Sequence, residues 1–170
     1  VIDGKETKVY VKIGDFNFDA LKYALMDSLH RISDEIPAQN KAYVKSISFS
    51  GGKLDGKEIC FSPDLNNFIG IRGSGKSAII EILRDAFGIE LNDAAADKSY
   101  KNDLVSYILG SGGKVTVNLR GNDGKNYRLE RILGQSASIY DESNNRLDCS
   151  ISAIFNLPVY FGQKDLSNKK

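Results

Sequence analysis

Histidine occurs once in these 170 residues and cysteine twice. That is too few of either for most metal sites built on imidazole and thiolate. Cys60 and Cys149 stand apart, with neither zinc-site spacing nor a disulfide pattern. They read as two reduced thiols, so a cytoplasmic setting is the expectation. His30 lies in a helical pattern without a neighbouring ligand, which gives it no metal or catalytic role. No apolar run comes near the roughly 20 residues of a membrane-spanning helix, and no secretory signal is present, so no membrane partner is expected. Charge of one sign is also missing. Lys plus Arg number 23 against 22 Asp plus Glu, a net charge of +1 that exerts no overall pull on nucleic acid. Methionine appears once, at Met26, while residue 1 is Val and Ser167 to Lys170 follow an apolar run without a closing element. The expectation is a piece of a longer protein.

What is present is the composition of a globular domain, 41% apolar and 26% charged. It excludes collagen-like, coiled-coil-only and wholly disordered chains. Lys8 to Ile13 alternates like a short strand. Asn17 is placed to cap a helix over Phe18 to Ile32, with Leu21, Leu25, Leu29 and Ile32 on one stripe. Ser33 to Lys41, with Pro37, reads as a linker, and divides residues 1–40 from a domain over 41–170.

Strand patterning begins at Tyr43. Val44, Ile47 and Phe49, then Ile59 and Phe61, predict a hairpin across a glycine-containing connection. Leu65 to Ile71 is nearly all apolar and predicts a buried strand. A helix follows over Ser77 to Phe87, with Ala78, Ile79, Ile82, Leu83 and Ala86 facing inward and Gly88 stopping it. Asn92 to Ser99 reads as a mobile loop and Asn102 to Leu109 as a helix. Strands are expected at Lys114 to Arg120, Tyr127 to Leu133 and Ser138 to Tyr140, with a turn at Asp141 to Asn145. One helical turn at Ile151 to Asn156 precedes a last apolar strand, Leu157 to Phe161.

Chemistry concentrates in Gly70-Ile71-Arg72-Gly73-Ser74-Gly75-Lys76-Ser77, a full match to Gly-x4-Gly-Lys-Ser/Thr between a predicted strand and a predicted helix. Gly73 and Gly75 let the backbone turn its N–H groups inward around an anion. The helix beginning near Lys76 adds its positive end and unpaired N–H groups. Lys76 supplies a mobile charge for the β- and γ-phosphates, and Ser77 a hydroxyl for Mg²⁺. Gly70, Ser74 and Ala78 complete the phosphate-binding set. Arg72 reads as a solvated side chain before a phosphate contact or a contact across an interface.

Other motifs of P-loop proteins are lacking. A Walker B element needs an apolar run ending in Asp, and the one Asp-Glu after the loop, Asp141-Glu142, follows the alternating Ser138-Ile139-Tyr140 and reads as a hairpin tip. Phe49-Ser50-Gly51-Gly52-Lys53 imitates the ABC-type signature, but lies before the P-loop and between strands. No Asn-Lys-x-Asp run is placed to read guanine.

From Tyr43 through Gln163 the chain resembles the N-terminal lobe of SMC-like ATPase heads, ABC-type ATPases of chromosome maintenance and DNA repair. Ser46-Ile47-Ser48-Phe49, Asn67-Phe68-Ile69-Gly70 through Ser77, Val115 to Tyr140 and Tyr160-Phe161-Gly162-Gln163 carry the resemblance. It implies an α/β fold: a P-loop NTPase lobe with a mixed sheet, an antiparallel β-subdomain and flanking helices, forming an incomplete head. It also implies that Gln163 is the Q-loop glutamine, joining Ser77 at Mg²⁺ and reaching the attacking water. A C-terminal lobe of the same parent chain, beyond a coiled-coil insertion, would bring Walker B and signature motifs. ATP would lie between two heads of a homodimer and drive their engagement, in nucleic-acid processing or defence. Where that family carries an Arg after its opening strand, this chain has Gly51-Gly52, so the contacts of that Arg are missing. Lys12-Ile13 and Phe18 to Leu25 are similar to the closing strand and helix of a PHP phosphoesterase domain, which precedes some of these ATPases. The one His rules out its metal site here.

Two other readings remain. A small P-loop phosphotransferase would need lid arginines, for which Arg84, Arg120, Arg128 and Arg131 are available. A docking module with a vestigial P-loop would bind no nucleotide. Nucleic acid as a partner follows from the resemblance and not from Lys164, Lys169 and Lys170, which are too few to argue from.

Overall fold

The computed structural model describes residues 8–35, 41–91 and 98–161. The chain divides into two compact units, residues 1–39 and 40–170.

In the first unit, β1 (Tyr10–Val11) pairs antiparallel with β2 (Ile32–Ser33). Between them lie α1 (Phe18–Met26) and α2 (Ser28–Arg31). Asn17 caps α1 as expected, accepting from the Ala20 N–H at 2.8 Å. The single helix expected through Ile32 is instead broken at Asp27, whose backbone leaves the helical region (φ −111°, ψ 49°). Its carboxylate sits 2.7 Å from His30 Nδ1 and 3.4 Å from Arg31 Nε. Those side-chain partners hold its pKa below the usual carboxylate range, the His30 hydrogen bond first. An aspartate bonded to its own neighbourhood competes with helix continuation, and Ile32 then pairs as a strand. The leucine stripe is not a buried seam within this unit. Leu21, Leu25 and Leu29 are exposed, and Ala24 is the fully buried residue of α1.

The second unit is built on an antiparallel sheet ordered β4-β3-β5-β6-β7-β8. Its strands are β3 (Tyr43–Ser50), β4 (Glu58–Cys60), β5 (Lys114–Arg120), β6 (Asn126–Ile132), β7 (Ser138–Tyr140) and β8 (Arg146–Leu147). The alternation in β5 is complete: Val115, Val117 and Leu119 are buried, and the residues between them are half-buried. Register places Ile47 opposite Val117 and Phe49 opposite Val115, so one face is continuously apolar. The opposite face is polar. Asn118 donates to Ser46 Oγ at 3.0 Å, and Lys114 and Arg128 both pair with Glu130. This is the usual division of a sheet with one solvated side.

Two helices cover the apolar face, α3 (Lys76–Ala86) and α4 (Lys98–Leu109). They bring Ile79, Ile82, Ala86, Val105 and Leu109 against the sheet. The short α5 (Ile151–Ile154) follows, and Phe155 stacks on Phe87 with centroids 5.4 Å apart. Gly88 ends α3 as expected, with φ +67° and the Ile89 N–H bonded to Arg84 O. α4 begins at Lys98, earlier than the expected loop over Asn92 to Ser99 allows; residues 92–97 of that loop lie outside the described residues.

Three expectations for the second unit fail. Among the described residues every strand pair is antiparallel, so the mixed sheet is not seen. Leu65 to Ile71 forms no strand. Phe68 packs edge-on against Phe61, while Leu65, Ile69 and Ile71 are exposed. Leu157 to Phe161 likewise forms no strand, with Leu157, Val159 and Phe161 exposed. A strand buried on both faces needs paired neighbours, and neither segment has one among the described residues. By contrast, the hairpin and the turn at Asp141 to Asn145 form where expected, the latter closed by the Asn145 N–H on Asp141 Oδ1.

Ile82 is fully buried where α3 meets the sheet. Ile82→Ala is expected to destabilise the fold by about 2–5 kcal/mol, read as a lowered urea midpoint at unchanged slope.

Candidate phosphate-binding site

Residues 70–75 form a loop that turns directly into α3 at Lys76. Gly73 (φ +85°) and Gly75 (φ +88°) both occupy the left-handed region that glycine favours, and a Cβ at either would meet no atom within 4 Å. The loop is therefore open on that side. No side chain caps the start of α3, so the N–H groups of its first turn lack intrahelical partners and face outward with the positive end of the helix. Lys76 folds back into the loop. Its Nζ donates to Gly70 O and Ile71 O, both at 2.7 Å, and to Ser74 Oγ at 3.1 Å. Neutral dipoles thus satisfy the ammonium, and no carboxylate is among these partners. Ser77 is exposed beside it and Ala78 is buried in the first turn. This arrangement fits an anion of phosphate type.

The loop lines one side of a cleft of about 830 Å³, and Arg72 lines it too. The opposite wall belongs to α4: Tyr100, Leu104, Tyr107 and Ile108. Sequence reasoning missed this wall. The available signal was the helical spacing of Tyr100, Leu104 and Tyr107, a stripe separate from the Val105–Leu109 stripe that packs on the sheet. Backbone contact fixes α4 in place. A Cβ on Gly52 would lie 2.2 Å from Ile108 O and 2.3 Å from Leu109 O, so the turn after β3 runs directly against the end of α4. That packing accounts for Gly51-Gly52 where the signature lookalike stood. The adjoining Lys53 puts its Nζ 3.4 Å from the Tyr107 ring centroid. Its hydrogen bond, and then its charge, hold the Tyr107 phenol below its usual pKa.

Behind the loop, α3 carries a buried charge cluster that the sequence did not signal. Glu81 and Arg84 are 5% and 6% exposed, and Arg84 Nε donates to Glu81 Oε2 at 2.9 Å. Arg84 also donates to Ile89 O and to Asn102 Oδ1 of α4. Tyr160 donates its hydroxyl to Glu81 Oε1, and its ring faces Lys101 Nζ at 5.4 Å. The segment expected to be a strand is thus held through Tyr160 to the helix that the glycine loop opens. Gln163, three residues further on, lies outside the described residues, as does Gly162.

Other candidates are placed elsewhere. Arg128 pairs with Glu130, Arg131 with Asp85, and Arg84 with Glu81; none of these, nor Arg120, lines the cleft. Asp141 and Glu142 sit at the β7–β8 hairpin tip, where Glu142 accepts from the Asn126 backbone and side chain. Among the described residues, no group of three His, Cys, Asp or Glu side chains could hold a metal, and no helix is long and apolar enough to cross a membrane.

No family model matches this chain, and no curated protein matches it. Among solved structures it is similar to the recombination mediator protein RecF with ATP, in the RecFOR pathway. Identity is 17% and the TM-score 0.45, over 68% of this chain. The match covers 30% of the RecF chain.

Removing Glu81 would strand a buried guanidinium. Glu81→Ala is expected to lower stability by about 3–5 kcal/mol, against about 1 kcal/mol for Tyr160→Phe, which deletes one hydrogen bond. Urea unfolding of both variants measures the difference.

Proposed function

We propose that the chain is the nucleotide-binding lobe of a P-loop ATPase head of SMC-like, ABC type. One observation carries the reading: a loop with two left-handed glycines opens onto an uncapped helix start, with the Lys76 ammonium held inside it by neutral oxygens alone. In this reading the backbone N–H groups of Gly73 to Ala78 cradle the β-phosphate. Lys76 leaves its carbonyl partners for the β- and γ-phosphates. Gly70 and Ser74 shape the near side, and Arg72 faces the same anion from the rim. The hydroxyl of Ser77 and the side chain of Gln163 are the groups that would hold Mg²⁺. When bound, the cation screens phosphate charge.

The exposed apolar side chains support an incomplete head. Leu65 and Ile69 before the loop, Ile71 within it, and Val159 and Phe161 before Gln163 lie in the open. Their burial falls to the C-terminal lobe of the same parent chain, which also supplies the acidic residue that polarises water. Head-to-head dimerisation around ATP, action on nucleic acid, a cytoplasmic setting and a PHP-like origin for residues 1–40 belong to the same reading. The phosphotransferase alternative loses support because its four arginines lie away from the cleft.

Lys76→Ala is expected to weaken Mg-ATP binding by about tenfold or more, the value of a charge-assisted hydrogen bond, measured by calorimetry at fixed salt. Unchanged affinity contradicts the phosphate assignment, and absence of nucleotide heat in the parent sequence favours a docking module. The chain alone is expected to hydrolyse ATP at a negligible rate. Turnover of about 1 s⁻¹ or faster, in the ordinary range of enzymes, contradicts the split head.

A further inference from the structure

The cleft beside the glycine loop is larger than its phosphate-binding wall requires. At about 830 Å³ it falls within the range of roughly 300–1,000 Å³ typical of sites that enclose a whole small ligand. Its two walls differ in chemistry. One is backbone N–H, ammonium and hydroxyl, suited to phosphate. The other is carbon: the rings of Tyr100 and Tyr107, with Leu104 between them and Ile108 beyond. Both tyrosines are 64% exposed, so much of each ring is open to a ligand in the cleft. They stand two helical turns apart, about 10 Å along α4, on the face turned away from Val105 and Leu109 in the core. Lys53 lies over the Tyr107 ring at 3.4 Å and steadies it. The contact of Gly52 with the end of α4 fixes this wall relative to the turn after β3.

We propose that Tyr100 and Tyr107 on α4 form the nucleobase wall of the cleft, stacking the base of a nucleoside triphosphate whose phosphates lie on Gly73 to Ala78. This rests on the phosphate reading given above and adds to it the part of the ligand that is recognised. Stacking uses the flat face that every base has, so this wall binds the base without reading its edge.

The test compares Mg-ATP with Mg-tripolyphosphate, which has the phosphates and no base, by NMR titration of the chain and of two double variants. The expected result is that Tyr100→Ala with Tyr107→Ala weakens Mg-ATP about tenfold, the effect of losing one stacked base. Mg-tripolyphosphate affinity stays as in the parent. Tyr100→Phe with Tyr107→Phe keeps both affinities, because the rings remain. Both positions are exposed, so the thermal midpoints are expected to be unchanged. The proposal is overturned if the alanine pair leaves Mg-ATP binding intact, if it weakens both ligands alike, or if the parent binds tripolyphosphate as tightly as ATP. In all three cases the phosphate site survives. Binding of neither ligand by the parent removes the phosphate reading, and the nucleobase wall with it.

Discussion

A sheet with one apolar face has to be covered, and that requirement organises the rest of the molecule. Val115, Val117 and Leu119 of β5, with Ile47, Phe49 and Leu129 beside them, present a surface that water cannot satisfy. α3 and α4 cover it. The same packing turns the N-terminus of α3 and one side of α4 toward a common cleft. The glycine loop therefore comes to face an aromatic wall because of how the core is closed. Burial of Ala78, Ile79 and Ile82 behind the loop anchors its rigid side. The loop residues themselves stay exposed.

The second constraint is electrostatic. Glu81 and Arg84 lie within the packed side of α3, where an unpaired charge is far more costly than at the surface. Their bonds reach Ile89 just after α3, Asn102 of α4 and Tyr160, so α3 shares one charge cluster with two segments distant in sequence. This is weak evidence for added stability and better evidence for a fixed arrangement. Polar partners with directional bonds allow fewer alternatives than apolar packing does.

Legibility in the sequence followed periodicity. β5 was readable to the residue, because strict alternation has one explanation in a sheet with a solvated face, and β6 was placed to within one residue although Arg131 stands opposite the buried Val115. α3 was readable because the glycine-lysine-serine pattern marks its start and Gly88 its end. Leu65 to Ile71 and Leu157 to Phe161 were misread for a physical reason. An apolar run states that a segment favours burial, without stating which surface buries it. The break at Asp27 was hidden because the leucine spacing continues through it while the backbone follows the aspartate side chain. Half of the cleft, residues Arg72 to Ala78, was legible from the motif. The α4 half was not, since Lys98 to Lys101 carries few apolar cues and Tyr100 and Tyr107 resemble ordinary helix surface. Lys101 is buried although its residue type argues for exposure.

The central claim is that the loop between Gly70 and Ser77, with the first turn of α3, is a cradle for phosphate. Amide chemical shifts during titration with Mg-ATP test it most directly, because the claim concerns particular N–H groups. The account predicts that the amides of Gly73, Gly75, Lys76, Ser77 and Ala78 shift together and saturate along one binding curve. It is contradicted if those amides stay fixed at millimolar Mg-ATP while resonances elsewhere move.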